Sequence, residues 1–193
     1  MTTGSRTLTF DEIAPCMLAR DYKDPPSLVF ELGGNMKRYI VRRLTPTECA
    51  RLQGFPGWWA DLPKIEDMTN EDFEFWTDVR RTYAEIKGKT YKPVSKRQMV
   101  KWYNKLHTDS AEYKMWGNGV ALPVVRIPLH GMAQLGAKTM GSLFDGAGGF
   151  PLAGLLDGVD TVWASEIEPY PIAVTKWNFG GKAQLLLGGT TDE

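Results

Sequence analysis

Two cysteines in 193 residues are too few for a disulfide framework. Cys16 and Cys49 form no metal pattern with His107 and His130. Cys49 therefore reads as a small buried hydrophobe, and each histidine as a surface or helix-end residue. No run of roughly 18 apolar residues and no charged-then-apolar leader occurs, which argues against a membrane span or a secretory signal. Together with the scarcity of cysteine, this points to a reducing, cytoplasmic setting. Charge of one sign is also lacking: 23 basic residues balance 23 acidic ones, so net charge gives no hint of a nucleic-acid partner. Internal repeats and low-complexity tracts are absent.

What is present is enough apolar content, 42%, for one large domain or two small ones. The most informative stretch runs from Met140 to Asn178. Met140 to Phe144 is a short apolar run suited to a buried parallel strand, and Asp145-Gly146-Ala147-Gly148-Gly149 is a turn with no bulky side chain. Phe150 to Leu156 reads as a helix and Thr161 to Ser165 as a second strand, with Glu166 at its C-terminal edge, where open α/β sheets bind ligands. A carboxylate there can grip both hydroxyls of a ribose. A dinucleotide fingerprint is disfavoured, because Pro151 stands where its third glycine belongs and Asp145 puts a carboxylate where a pyrophosphate would lie. Two acids suit a cationic ligand better, and S-adenosylmethionine carries a sulfonium and an ammonium. The plainer reading is a tight strand-to-helix connection with the acid as a helix cap.

Thr45-Pro46-Thr47-Glu48 is a capping box with proline at the first helical position, so a helix should begin there and Gly54 should end it. On it, Arg43, Arg51 and Gln53 read as a solvated face. Phe73, Trp76, Tyr83 and Ile86 recur at helical spacing behind Thr69 or Asn70 as a cap, and a second helix is predicted over Ser95 to Leu106. Between Lys87 and Lys105 lie seven basic residues and no acid, interleaved with Tyr91, Trp102 and Tyr103. That pattern suits a phosphate backbone, with Lys96, Arg97 and Lys101 as the expected contacts, or else an insertion with ordinary solvated charge. Trp58 and Trp59 read as packing residues or as exposed reading aromatics. Gly117-Asn118-Gly119 should lead into an apolar helix over Val120 to Ile127, with Asn118 as its cap.

Four of these segments resemble conserved blocks of the cytosine-5 DNA methyltransferases. Phe144 to Gly149 resembles the first block and Ser165-Glu166-Ile167-Glu168 the second; Arg42 to Pro56 resembles the penultimate block, and Glu112 to Ala121 the last, built around Gly-Asn-x-Val. The resemblance covers roughly 7–129 and 139–179. It implies an α/β chain with a partial Rossmann-like, S-adenosylmethionine-dependent methyltransferase fold and a small helical insertion at 61–106. The implied activity is methyl transfer to C5 of cytosine in DNA, as in restriction-modification systems. It also implies that Phe144, Asp145, Gly146, Gly148, Gly149 and Phe150 surround the methionine moiety. Glu166 would hold the ribose, Ile167 would face the adenine, and Asn118 and Val120 would close the pocket. The helix after Asn118 would pack beside the first strand. The segment around Arg42 to Pro56 would order a target-recognition region beside the DNA.

The block order is unusual. Residues 1–133 resemble the C-terminal part of the family, 134–139 form a joint, 140–180 resemble the N-terminal cofactor-binding part, and 181–193 lose the pattern. Such an order fits circular permutation or the fusion of one gene's tail to another's head. The family's Pro-Cys-Gln, Glu-Asn-Val and Arg-x-Arg blocks, which carry the nucleophile, the acid and the base, are missing. Cys16, in Pro15-Cys16-Met17, lacks the Gln and the glycine-rich approach and is not the nucleophile. The chain is therefore expected to be a fragment or split subunit that needs a second polypeptide, or else a non-catalytic remnant that binds cofactor or DNA.

Overall fold

A computed structural model describes residues 27–32 and 38–182. Cys16 and the tail after 182 lie outside the described residues. The chain opens with an antiparallel pair, β1 (Ser27–Leu32) and β2 (Arg38–Arg43), in which Ser27 faces Arg43 and Leu32 faces Arg38. Five helices follow: α1 (Pro46–Leu52), α2 (Asn70–Ile86), α3 (Lys96–Tyr103), α4 (Asp109–Asn118) and α5 (Leu122–Gln134). A parallel βαβ unit comes next, consisting of β3 (Thr139–Leu143), α6 (Gly149–Leu156) and β4 (Asp160–Ser165). The chain continues into α7 (Pro169–Trp177) and a π-helical turn, Asn178–Lys182. Mixed helices and a small parallel sheet are compatible with an α/β methyltransferase-like fold. Among the described residues, no helix is long and apolar enough to cross a membrane.

Local chemistry accounts for the helix starts. Thr45 and Glu48 form the reciprocal capping box that the spacing predicts, and Arg42 grips the Glu48 carboxylate. That guanidinium, ahead of the cost of burial, holds Glu48 at a pKa of about 2. Thr69 caps α2 through the Asp72 amide, and Ser95 with Gln98 makes a second capping box at α3. The C-terminal side differs from the sequence reading. Asn118 does not cap the apolar helix; it is the last residue of α4, whose cap is Thr108, and α5 begins behind Ala121 with no side-chain cap. Pro123 in its first turn lacks the amide that a cap would satisfy. Nor is Gln53 solvated: it is buried, and its amide donates to the Trp116 carbonyl.

Two apolar clusters fill the interior. The larger brings Leu44, Cys49, Phe55, Trp59, Trp116 and Leu122 of the N-terminal part against Leu152, Ala153 and Val174 of the βαβ region. The smaller packs Trp76 of α2 on Met99 and Tyr103 of α3 and on Ala173 of α7. Adjacent residues of α7 thus enter both clusters, which ties the helical insertion to the βαβ unit. Helix α5 packs on α6, and α6 in turn on β3 and β4. The expected contact of α5 with the first strand is therefore made through α6.

Trp59 is only 1% exposed, and its indole N–H donates to the Ala147 carbonyl at 2.7 Å. Replacing Trp59 with Phe keeps a ring but orphans that buried carbonyl. We expect a loss of about 1–3 kcal/mol in urea unfolding; a loss under about 0.5 kcal/mol would show that the bond adds nothing to the clamp.

Candidate cofactor site at the glycine turn

The site is built where β3 ends. Phe144 leaves the strand in the left-handed region, φ 53°, a strained conformation for a bulky residue, and its ring is 88% exposed. The next residue turns inward: the Asp145 amide donates to the Ser165 carbonyl at the end of β4, and its carboxylate is buried. Gly146 and Gly148 both carry positive φ, 57° and 83°. A Cβ on Gly148 would lie 2.7 Å from the Phe179 ring, so this turn tolerates only glycine there. Gly149 then opens α6, close beneath Val120 and Phe55.

Glu166 closes the turn from the other strand. One carboxylate oxygen accepts from the Gly146 amide at 2.7 Å, while the other accepts from the Ile167 and Glu168 amides at 2.7 and 2.9 Å. The residue expected to hold a ribose is thus already the buckle between the glycine turn and the start of α7. Its two oxygens retain lone pairs beyond those three bonds. Asp145 accepts from the Ser142 hydroxyl. Burial, with Glu166 as a second cause, lifts its carboxyl to a pKa of about 6 despite that hydroxyl. A buried carboxyl with a hydroxyl donor, beside a second carboxylate, is a place where positive charge is favoured.

Seven of the ten expected residues line one narrow cavity: Asn118, Val120, Phe144, Asp145, Gly146, Gly149 and Phe150, joined by Phe55, Trp116 and Ala147. The turn before α5 therefore does lie over the glycine turn, although Asn118 reaches it as the end of α4. Gly148 sits in the wall behind, against Phe179. Glu166 touches the site through Gly146, and Ile167 lies exposed beyond it. The cavity holds about 30 Å³, room for a charged tip but not for a nucleoside. The open side, where Phe144 and Ile167 are exposed, has space for a larger group.

Sequence reasoning missed three contributors. Ser142 precedes Asp145 by three residues and shares its turn, a spacing that hydroxyl-to-carboxylate pairs use. Phe55 and Trp116 lie inside the quoted blocks but carry only packing, which no motif marks. His107 is exposed between α3 and α4, as expected of a surface or helix-end residue, and there it bonds Glu112 at 2.9 Å and stacks on Tyr170. Among the described residues there is no cluster of His, Cys, Asp and Glu that could hold a metal ion.

Asp145 gives the site a pH signature. Its pKa in the folded chain, about 6, lies above the ordinary 3.8. The native state therefore binds the proton more tightly, and stability falls as pH rises between those values. Asp145→Asn removes this titration. Relative to wild type, the variant should gain melting temperature at pH 7.5 and gain little at pH 4. Parallel melting curves across that range would refute the shift.

No protein-family model matches the chain. Over 126 residues, 64% of its length, it is 28% identical to a protein of Escherichia phage P1 named DNA N-6-adenine-methyltransferase. The matched stretch is 14% of that relative. The similarity is thus to a DNA methyltransferase, though one named for adenine rather than for cytosine C5.

Proposed function

We propose that this chain carries the S-adenosylmethionine-binding end of a DNA methyltransferase of the cytosine-5 class. The observation that carries the reading is the buried Asp145 carboxyl in a glycine turn, buckled by Glu166 and covered by Asn118–Val120. The residues fit the group: Asp145 lies where an ammonium or sulfonium is favoured, and Glu166 keeps acceptor capacity at the open rim. Phe144 and Ile167 offer apolar surface for an adenine. When bound, the cofactor supplies an electrophilic methyl group. This chain's own residues hold and orient it.

Among the described residues nothing covers Phe144, and the sequence lacks the family's reacting groups. Leu143, Val162 and Trp163 are 59%, 63% and 51% exposed on β3 and β4, whereas parallel sheets are normally covered on both faces. Further strands belong against them. C5 of cytosine is not itself nucleophilic and needs a cysteine thiolate to activate the ring; no Pro-Cys-Gln is present. The proposal therefore includes a second polypeptide, or further chain, that supplies the strands and the thiolate, and it makes these residues inactive alone.

The relative's name favours a second reading, methylation of adenine N6. If 126 residues are 14% of that protein, it is on the order of 900 residues long, which is several domains. Its named activity and its matching stretch are therefore separable, and the four blocks keep cytosine first. Calorimetry with S-adenosylhomocysteine should give binding that Glu166→Ala weakens more than tenfold, with no heat from a nicotinamide dinucleotide. Equal affinity in a variant that melts normally would defeat the assignment. Supplied with a polypeptide bearing Pro-Cys-Gln and Glu-Asn-Val, the chain should yield 5-methylcytosine in nucleoside mass spectrometry; N6-methyladenine would establish the second reading instead.

A further inference from the structure

A second cavity, far larger than the one at the glycine turn, opens where the helical insertion meets the start of α7. It holds about 540 Å³, and Arg80, Lys89, Lys92 and Lys105 line it together with Tyr91 and Trp102. The Arg80 guanidinium lies over both rings, 5.9 Å from the centre of Tyr91 and 5.1 Å from that of Trp102. It is thereby held at the cleft wall, and among the described residues no carboxylate pairs with it. Lys89, Lys92 and Lys105 are exposed, and among the described residues none of their ammonium groups has an ion-pair or hydrogen-bond partner. The single acid at the rim, Glu168, is taken by Lys114 at 3.0 Å and Lys87 at 3.4 Å. Four cations thus face one concave surface without compensation, in a chain whose net charge is zero. Such a concentration of one sign is costly unless an anion meets it.

We propose that this cleft binds the phosphodiester backbone of DNA, with Lys89, Lys92 and Lys105 as the phosphate contacts and Arg80, fixed on Tyr91 and Trp102, as a pre-oriented fourth. The proposal rests on the reading above that DNA is the substrate, and it places the contact surface on the 61–106 insertion. It also reassigns the basic run. Lys96, one of the three contacts expected from the sequence, instead faces Asp67 and Asn70, at 3.9 and 3.3 Å. Arg97 and Lys101 are not among the cleft residues. Lattice spacing of charge along α3 is therefore less informative than the concavity formed by the loop after α2, the end of α3 and α7.

The test uses the 193-residue chain and a fluorescent mixed-sequence DNA duplex, with affinity read by anisotropy over a salt series. Each phosphate contact contributes about 0.9 to the slope of log affinity against log salt. Changing Lys89, Lys92 and Lys105 together to Ala should lower that slope by about two to three. Changing Lys96, Arg97 and Lys101 to Ala removes the same charge and should lower it by less than about one. Arginine at the three cleft positions should keep the wild-type slope. If the triple alanine variant fails to melt cooperatively, Lys92→Ala alone should cost about one unit of slope. Equal losses in the two triple variants, no loss in the cleft variant, no DNA binding by the wild type, or tighter binding of an RNA duplex would each overturn the proposal. Titration of the same variants with S-adenosylhomocysteine keeps the two readings apart: cofactor binding with a DNA result that fails removes the cleft alone, and lost cofactor binding with the expected salt slopes removes the glycine-turn reading alone.

Discussion

The indole of Trp59 is the contact on which the glycine turn depends. Its N–H satisfies the Ala147 carbonyl in the middle of the glycine turn, a buried acceptor with no strand partner. Its own carbonyl accepts from the Asn178 side chain at the end of α7, and the neighbouring Ala60 carbonyl accepts from the Tyr170 hydroxyl near the start of that helix. One short loop after α1 thus holds three points of the βαβ region at once, from residues 88 to 119 positions away. The same ring packs against Phe55, Trp58 and Phe179, the last edge-on. A turn rich in glycine has little rigidity of its own; here rigidity is supplied from the other half of the chain.

That arrangement explains how a buried carboxyl can be tolerated at Asp145. The turn cannot relax toward water, because Trp59 pins one side and Glu166 buckles the other. Burial then falls on a group with a single hydroxyl for company, and its affinity for a proton rises accordingly. The same rigidity keeps Phe144 in a conformation that its side chain disfavours, with the ring directed away from the core. Strain at Phe144 and a buried carboxyl with a raised pKa at Asp145 lie on adjacent residues. Both are properties of a surface waiting for something to cover it, as are the exposed apolar residues of β3 and β4.

Much of this was legible in the residues. The capping boxes at Thr45 and Ser95 and the cap at Thr69 depend on local hydrogen bonds, and the sequence spacing locates each of them. The βαβ unit was readable because glycine and apolar runs alternate with the right period, and its boundaries shifted by only a residue, although β3, expected as a buried strand, is mostly exposed among the described residues. Asn118 was misread because a Gly-Asn-Gly triplet looks like a helix entry, whereas the apolar face of Met115 and Trp116 carries α4 through to it. Gln53 was misread because one polar residue on a short helix gives no sign that a carbonyl 63 positions away will need its amide. The cleft cations were blurred for the same reason. Charge runs are visible in sequence, but concavity is created by contacts between α2, α3 and α7. The antiparallel pair at the start of the described chain was not anticipated.

The short joint between α5 and β3 also bears on the order in which the chain folds. In the family that the four blocks resemble, the segments corresponding to α5 and α6 lie at opposite ends, so their contact would close a long loop. Here only 135–138 separate helix from strand, and the Arg126 and His130 bonds to Asp157 span about thirty residues. Local contacts of this kind form early, because little chain entropy is lost in closing them. The long closure left over is the docking of the Trp59 loop. A folding chain would thus own a formed βαβ unit before it owned a rigid glycine turn, and the turn would set only as the last event of folding.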